Sequence, residues 1–273
     1  MGRIAIIDGD CLCYRSFQPR WNDNTNAYGE NIISLDADGQ KIHKEYSKEE
    51  NAAYLQQTYR TLKRHVVEMQ EKFFCSDYLM AVQGPGNFRF ELFPEYKAKR
   101  GNYRPSEISA MVPTLRKLLV HEGLAVPSQG MEADDLIRIW AAECERADQE
   151  FVIISLDKDL QCIPGKHYMI HKNETIDVSD AQAMYNYHYQ LIIGDQVDNI
   201  PGIPGVGPKK GEKLLVDCVT LEDFQEAVVT AYLNFFGEDW RQYLLSNGKL
   251  IHLLRDEDDF FDLSDWPIAQ IIP

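Results

Sequence analysis

The sequence predicts an α/β fold, a mainly parallel central sheet flanked by helices. Three observations predict it. The short apolar runs RIAIID (3–8), DYLMAVQG (77–84) and FVIISLD (151–157) read as buried strands. Segments with helical apolar spacing fall between them, and strands that alternate with helices build parallel sheets. Finally, Asp8 and Asp157 both fall at carboxyl ends of strands, the edge where such sheets hold their ligands. These two acids are expected to lie side by side.

The elements follow in order. After the first strand, 21–50 is rich in Asn, Asp and Gly, with a hairpin expected at Asp38-Gly39. From about Lys48, Ala52, Leu55, Tyr59, Leu62, Val66, Met69 and Phe73 recur on one helical face. The strand 77–84 leads into 87–104, NFRFELFPEYKAKRGNYR, which is aromatic and basic. A short helix near 106–111 is expected to stop at Pro113, because proline removes a helix hydrogen bond, and a second helix runs to His121. GMEADDLIRIWAAEC (130–144) opens a helix with acids in its first turn, where the helix dipole favours them. The strand 151–157 precedes a weaker one, HYMIHK (167–172); helical residues then lead to a Gly/Pro loop, and 219–254 reads as mostly helical.

Composition is ordinary for a globular chain: of 273 residues, 44% are hydrophobic and 26% charged. No apolar run is long enough to span a membrane. The N-terminus lacks the apolar region and cleavage site of a signal peptide, so a cytoplasmic setting is expected. Six cysteines (11, 13, 75, 144, 162 and 218) form no CxxC pair and read as buried free thiols. The net charge of −15 argues at first against a nucleic-acid partner. Six acids lie in the tail DEDDFFDLSD (256–265) and eight in the inner groups described next, fourteen of the fifteen excess charges. The remaining surface is close to balanced and can carry basic patches.

Four acidic groups stand out: Asp8 in IIDGD; Glu132, Asp134 and Asp135 in MEADD; Asp157 and Asp159 in SLDKD; Asp195 and Asp198 in GDQVD. Glu132 and Asp135 are three apart on a helix and share a face. Asp195 and Asp198 repeat that spacing. Eight carboxylates near one point stay ionised only around cations. Oxygen-only ligands favour Mg²⁺ or Mn²⁺ over zinc, and two such ions about 4 Å apart suit in-line phosphodiester cleavage. Taken singly, acids in first helical turns are usually caps and acids after strands are usually turns. Four groups, two of them at strand ends of one predicted sheet, outweigh that reading. Asp10, Asp148 and Asp180 are assigned to the structural class.

In GIPGVGPKKGEKLL (202–215), Gly205 and Gly207 precede Pro208, where a helix begins, and Lys209 and Lys210 follow. Glycine amides and a helix N-terminus favour a phosphate. The segment follows a helix rather than a strand, so a dinucleotide site is disfavoured. Helix–glycine loop–helix instead grips a DNA backbone without reading sequence; a plain turn is the bland alternative. Between 89 and 104, Arg89, Lys97, Lys99, Arg100 and Arg104 interleave with Tyr96 and Tyr103, a pattern that suits a strand with exposed bases. A solvated basic loop is the competing reading.

Together these motifs resemble the phage-type 5′–3′ exonuclease/flap endonuclease family, related to the 5′-nuclease domain of bacterial DNA polymerase I. The resemblance runs through IIDGD, FRFELFPEYKAKR, MEADD, IISLDKD and GDQVDNIPGIPGVGPKKG, from 3 to about 216. It implies a Mg²⁺-dependent 5′ nuclease with two ions, Mn²⁺ substituting. Asp8, Glu132, Asp134 and Asp135 would surround the first ion, and Asp157, Asp159, Asp195 and Asp198 the second. Lys97 and Arg100 would meet the scissile phosphate, Tyr96 would stack on a nucleotide, and Arg104 would bind DNA. Gly205, Gly207, Lys209 and Lys210 match the helix–three-turn–helix loop, where a K⁺ often joins the DNA phosphate. The implied organisation is a nuclease core at 1–183, with a short helical arch or clamp at about 98–125, and helix–three-turn–helix and C-terminal helices at 184–273, as one compact unit. Implied substrates are DNA with 5′ ends or 5′ flaps, with RNA·DNA hybrids open, and no membrane.

Three departures matter. The family usually has an aspartate just after the second strand, where this chain has Gln83 and Gly84. The arch region is short, and 21–50 reads as an insertion. The missing acid motivates a second hypothesis, a non-catalytic DNA-structure-binding relative. A third, an RNA-cutting relative, is disfavoured by the glycine loop and its lysines.

Overall fold

The computed structural model describes residues 2–17, 47–99 and 107–272. The hairpin expected at Asp38-Gly39, most of the 21–50 insertion, Arg100, Tyr103, Arg104 and part of the arch lie outside the described residues.

Six strands form one sheet: β1 (Arg3–Asp8), β2 (Cys75–Val82), β3 (Val126–Pro127), β4 (Phe151–Ser155), β5 (Gly165–Met169) and β6 (Glu174–Val178). Their spatial order is β3-β2-β1-β4-β5-β6. All neighbours pair parallel except β5 and β6. The antiparallel edge strand β6 was not expected. Its half-exposed sequence ETIDV offers no apolar run to announce it. The weaker strand expected at 167–172 is real but sits earlier, at Gly165–Met169.

Side chains of β1 alternate between the two faces, as the two-residue period of a strand requires. Ala5 and Ile7 face one core with Leu62, Val66, Met69 and Phe73 of α2 (Lys48–Phe73). Val112, Leu115 and Leu119 of α4 (Glu107–His121) join that core. Ile6 faces the other core with Ile137, Ala141 and Cys144 of α5 (Ala133–Arg146). Helix α2 begins at a capping box between Ser47 and Glu50. Its expected face is buried from Leu62 onward, while Ala52 is exposed.

The break expected at Pro113 does not occur, and α4 is a single helix that contains it. A proline inside a helix costs about 3 kcal/mol. Burying Val112, Leu115 and Leu119 returns about 1.5–3 kcal/mol each, so packing prevails. The cysteines are all free, but only Cys13 and Cys144 are fully buried.

A third core belongs to the C-terminal helices α6 (Asp180–Ile193), α7 (Pro208–Leu214), α8 (Leu221–Phe236), α9 (Trp240–Ile251) and α10 (Pro267–Ile271). Leu191, Val228, Tyr232, Trp240 and Leu244 fill it. Helix α6 runs across the expected division at 183/184. The two short helices at the site's edge are α1 (Gly9–Ser16) and α3 (Phe88–Leu92).

Candidate metal centre and nucleic-acid interface

The chain order of the sheet reverses between β1 and β4, so the loops leaving their carboxyl ends diverge and open a crevice. Ile7 pairs with Ile154, which puts Asp8 beside Ser155. Ser155 Oγ donates to Asp8 Oδ2 at 2.6 Å, and the Asp8 carboxylate also caps α1 by accepting the Cys11 N–H at 3.0 Å. Two residues further on, Asp157 accepts the Asp159 N–H at 2.8 Å. The expected juxtaposition of Asp8 and Asp157 is therefore met by adjacent parallel strands.

The crevice is a cavity of about 620 Å³ lined by seven of the eight predicted acids, Asp8, Glu132, Asp134, Asp157, Asp159, Asp195 and Asp198. Burial, then repulsion from Asp8, Asp157 and Glu132, holds the Asp134 carboxyl well above the usual range. Burial beside Asp157 and Asp195 pushes Asp159 up to about 7. Asp157 is also raised, by burial, although the Asp159 N–H partly offsets this. The raised values express a crowding of negative charge that divalent cations would relieve.

Asp135 is the exception. It is fully buried and absent from the cavity wall. Arg89 donates to both its oxygens, at 2.6 and 2.9 Å. The Glu132 N–H and the Leu254 N–H add bonds of 2.9 and 3.2 Å. Those four bonds match the roughly four acceptor sites of a carboxylate. Arg89 also donates to Leu250 O and His252 O, which ties the start of α5 to the end of α9.

The basic segment is stitched to the acids. The Lys97 N–H donates to Asp198 O at 2.9 Å, and Asn199 Nδ2 to Glu95 O at 2.9 Å. Lys97 takes a left-handed backbone, φ 58°, and its ammonium pairs with Glu132 and, at 3.5 Å, with Asp198. Tyr96 is 3% exposed, so its ring presents no open stacking face in this conformation. Its hydroxyl reaches Glu132 at 3.0 Å and Asp198 at 3.1 Å. Burial beside these carboxylates pushes the phenol far up and keeps it a donor.

Asp195 and Asp198 stand in a turn closed by an antiparallel bridge between Asp195 and Ile200. Asp195 Oδ1 accepts the Val197 N–H at 2.7 Å. The turn is anchored by a glycine contact. A Cβ on Gly202 would stand 2.4 Å from Gly194 N, and both residues have positive φ. Beyond it, Gly205 (φ 74°) and Gly207, which precedes Pro208 at the start of α7, are exposed with Lys209 and Lys210. The Lys210 ammonium donates back to Gly205 O at 2.8 Å. The expected helix–glycine loop–helix is thus in place between α6 and α7.

Several cavity residues escaped the sequence reading. Asp10, taken as structural, lines the cavity with Tyr14, Asn87 and Arg116. Asn87 Nδ2 donates to Glu132 Oε1 at 2.9 Å. Burial raises the Asp10 carboxyl despite Arg116 beside it. At the missing-acid position, Gln83 spends its side-chain amide on Gly84 O and Met131 O. Asp148 sits at a positive-φ turn after α5 and does not line the cavity.

The donor set suits a hard cation: carboxylate oxygens gathered at the sheet's switch point, with Asp134, Asp157 and Asp159 held above the usual carboxylate range by burial. The fit is one of chemistry rather than of preformed geometry, because among the described residues no three His, Cys, Asp or Glu side chains stand ready to hold an ion. No helix among the described residues is long and apolar enough to cross a membrane.

A mostly parallel sheet whose switch-point crevice is walled by carboxylates, set beside a helix–glycine loop–helix, defines an α/β protein with an acidic crevice at its working edge. The chain belongs to the 5′-3′ exonuclease family, whose N-terminal resolvase-like domain matches residues 3–188. It is 27% identical over 241 residues to a 5′-3′ exonuclease of Mycoplasma pneumoniae, covering 82% of this chain and 75% of that one. It is 33% identical over 179 residues to DNA polymerase I of Rhizobium leguminosarum, covering 62% of this chain but only 17% of the polymerase's length. Among solved structures, the bacteriophage T5 flap endonuclease in a pseudo-enzyme–product complex with DNA and metal ions is similar in fold. Its TM-score is 0.61 at 16% identity, over 92% of this chain and 89% of that one. The T5 5′-exonuclease with bound zinc matches with the same TM-score.

Proposed function

We propose that the chain is a divalent-metal-dependent 5′ nuclease that hydrolyses DNA phosphodiester bonds, from 5′ ends or at 5′ flaps. The observation that carries this reading is the cavity, where seven carboxylates from four separate chain segments meet at the switch point of the sheet. Asp8, Glu132 and Asp134 are assigned to a first Mg²⁺, and Asp157, Asp159, Asp195 and Asp198 to a second, with Mn²⁺ able to replace it. Asp135, sealed in its pair with Arg89, orients Glu132 and Asp134 instead of ligating. Bound there, the ions supply Lewis-acid stabilisation to the attacking and leaving oxygens of an in-line displacement.

The chain's own groups do the rest. Lys97 delivers positive charge at the acids' rim and, with Arg100, meets the scissile phosphate. Its place is set by its backbone bond to Asp198 and not by a long flexible reach. The Tyr96 hydroxyl holds Glu132 and Asp198 in register. Gly205, Gly207, Lys209 and Lys210 hold the duplex backbone away from the cut, with K⁺ as a partner for the phosphate, and Arg104 adds charge along the strand. The rival reading, a DNA-end-binding protein without turnover, rests on Gln83, whose amide does not offer the cavity a carboxylate.

A labelled 5′-flap duplex tests the reading, with Mg²⁺, with EDTA and with Asp157→Asn/Asp159→Asn, beside a 3′-flap control. Mg²⁺-dependent loss of the 5′ arm, abolished in the variant while DNA binding survives, is expected. Tight binding without cutting in Mg²⁺ or Mn²⁺ would establish the rival.

A further inference from the structure

Asp10 and Arg116 form an ion pair on the cavity wall that none of these roles uses. Asp10 lies in the first turn of α1, and Arg116 reaches it from α4, 106 residues away. Arg116 Nε donates to Asp10 Oδ1 at 2.5 Å, while the other carboxylate oxygen accepts the Gln83 N–H at 3.2 Å. The carboxylate is gripped from two sides and holds the guanidinium by one edge. A guanidinium carries five N–H donors. Among the described residues, Arg116 hydrogen-bonds only to Asp10, which leaves its Nη donors without a protein acceptor there. Its side chain is 25% exposed.

The other cavity cations are engaged elsewhere. Arg89 is locked to Asp135 and two backbone carbonyls, and Lys97 pairs with Glu132 and Asp198. A largely buried ion pair is weak evidence of a stabilising role, because desolvation offsets its attraction. A guanidinium fixed by one edge, however, presents a planar fork that matches two oxygens of a phosphate.

We propose that Arg116 binds a backbone phosphate of the DNA strand entering the cavity, and that Asp10 is the positioning residue that orients it. The inference rests on the nuclease reading above and extends it. It adds a phosphate contact from α4, on the side of the cavity next to Gln83, beyond those assigned to the glycine loop.

The test is equilibrium binding of a labelled 5′-flap duplex across a KCl series, with Ca²⁺ in place of Mg²⁺. Each phosphate neutralised contributes about 0.7–0.9 to the slope of log K against log salt. Arg116→Gln is expected to reduce the slope by about that amount and to weaken binding about tenfold at low salt. Arg116→Lys keeps the slope but loses part of the affinity, since an ammonium supplies charge without the fork. Asp10→Asn keeps the slope and weakens binding, and the Asp10→Asn/Arg116→Gln pair loses no more than Arg116→Gln alone. Wild-type slope and affinity in a folded Arg116→Gln protein would overturn the proposal. So would an Asp10→Asn protein that loses Mn²⁺ affinity with DNA binding unchanged, because Asp10 would then belong with the metals. A wild-type protein that shows no salt-dependent DNA binding would overturn the nuclease reading underneath.

Discussion

Asp134 and Asp135 are neighbours in sequence with opposite electrostatics. Asp134 faces the cavity, where burial and three other acids oppose its charge. Asp135 is buried with a bidentate arginine and two backbone donors. Breaking such a buried pair from one side costs about 3–5 kcal/mol. Asp135→Asn should therefore lower the urea midpoint sharply in EDTA, whereas Asp134→Asn should raise it by removing repulsion. Equal shifts in the two variants would refute the distinction. Nothing local in MEADD separates the two. Glu132, Asp134 and Asp135 were legible as a cluster because one helical turn carries them. The partner that decides the role of Asp135 is Arg89, 46 residues away. The place of Asp10 on the cavity wall was hidden for the same reason, since Arg116 meets it only through the fold. Tyr96 was legible as a neighbour of the acids, but its burial was not, because it packs in one core with Ile200 and bonds Asp198, both about a hundred residues away.

Helix α6 carries a titration that the fold itself imposes. His188 is 2% exposed, and burial lowers its pKa to about 4. Its Nδ1 bonds Met184 O at 2.8 Å, and its ring stacks on Phe224. The unfolded chain, with an ordinary histidine near 6.5, binds the proton first as pH falls. This group's stabilisation is thus present above about 6.5 and is lost as pH drops toward about 4. Wild type minus His188→Leu, followed by thermal unfolding from pH 4 to 7.5, should show that slope. Superimposable pH profiles would reject it. At this scale the sequence reading succeeded where apolar period and length agree, as in α2 and β4. It failed where tertiary packing overrides a local rule, as Pro113 in α4 shows, or where an edge strand is half polar, as in β6.

For the whole molecule, the acids that make up most of the net charge of −15 divide into a tail and a cavity. Cavity repulsion is a folding cost that bound divalent ions would remove. Mg²⁺ at a hundred times its Kd should stabilise the protein by about 2.7 kcal/mol per site. That gain should shrink in Asp157→Asn/Asp159→Asn; differential scanning with and without EDTA measures both, and an unchanged gain in the variant would place the ions elsewhere. The parallel sheet and its working edge were readable from apolar runs ending in acids. The joining of the two halves was not. Arg89 and Asp135 clasp the segment 250–254, and α6 passes unbroken from the sheet into the C-terminal core. The sheet-bearing half is therefore not a portable part. A gene fragment stopping at 183, or at the family match's limit of 188, would sever a helix and strip a buried guanidinium of its two carbonyl acceptors. Any graft of the acidic crevice onto another scaffold has to carry the C-terminal helices with it.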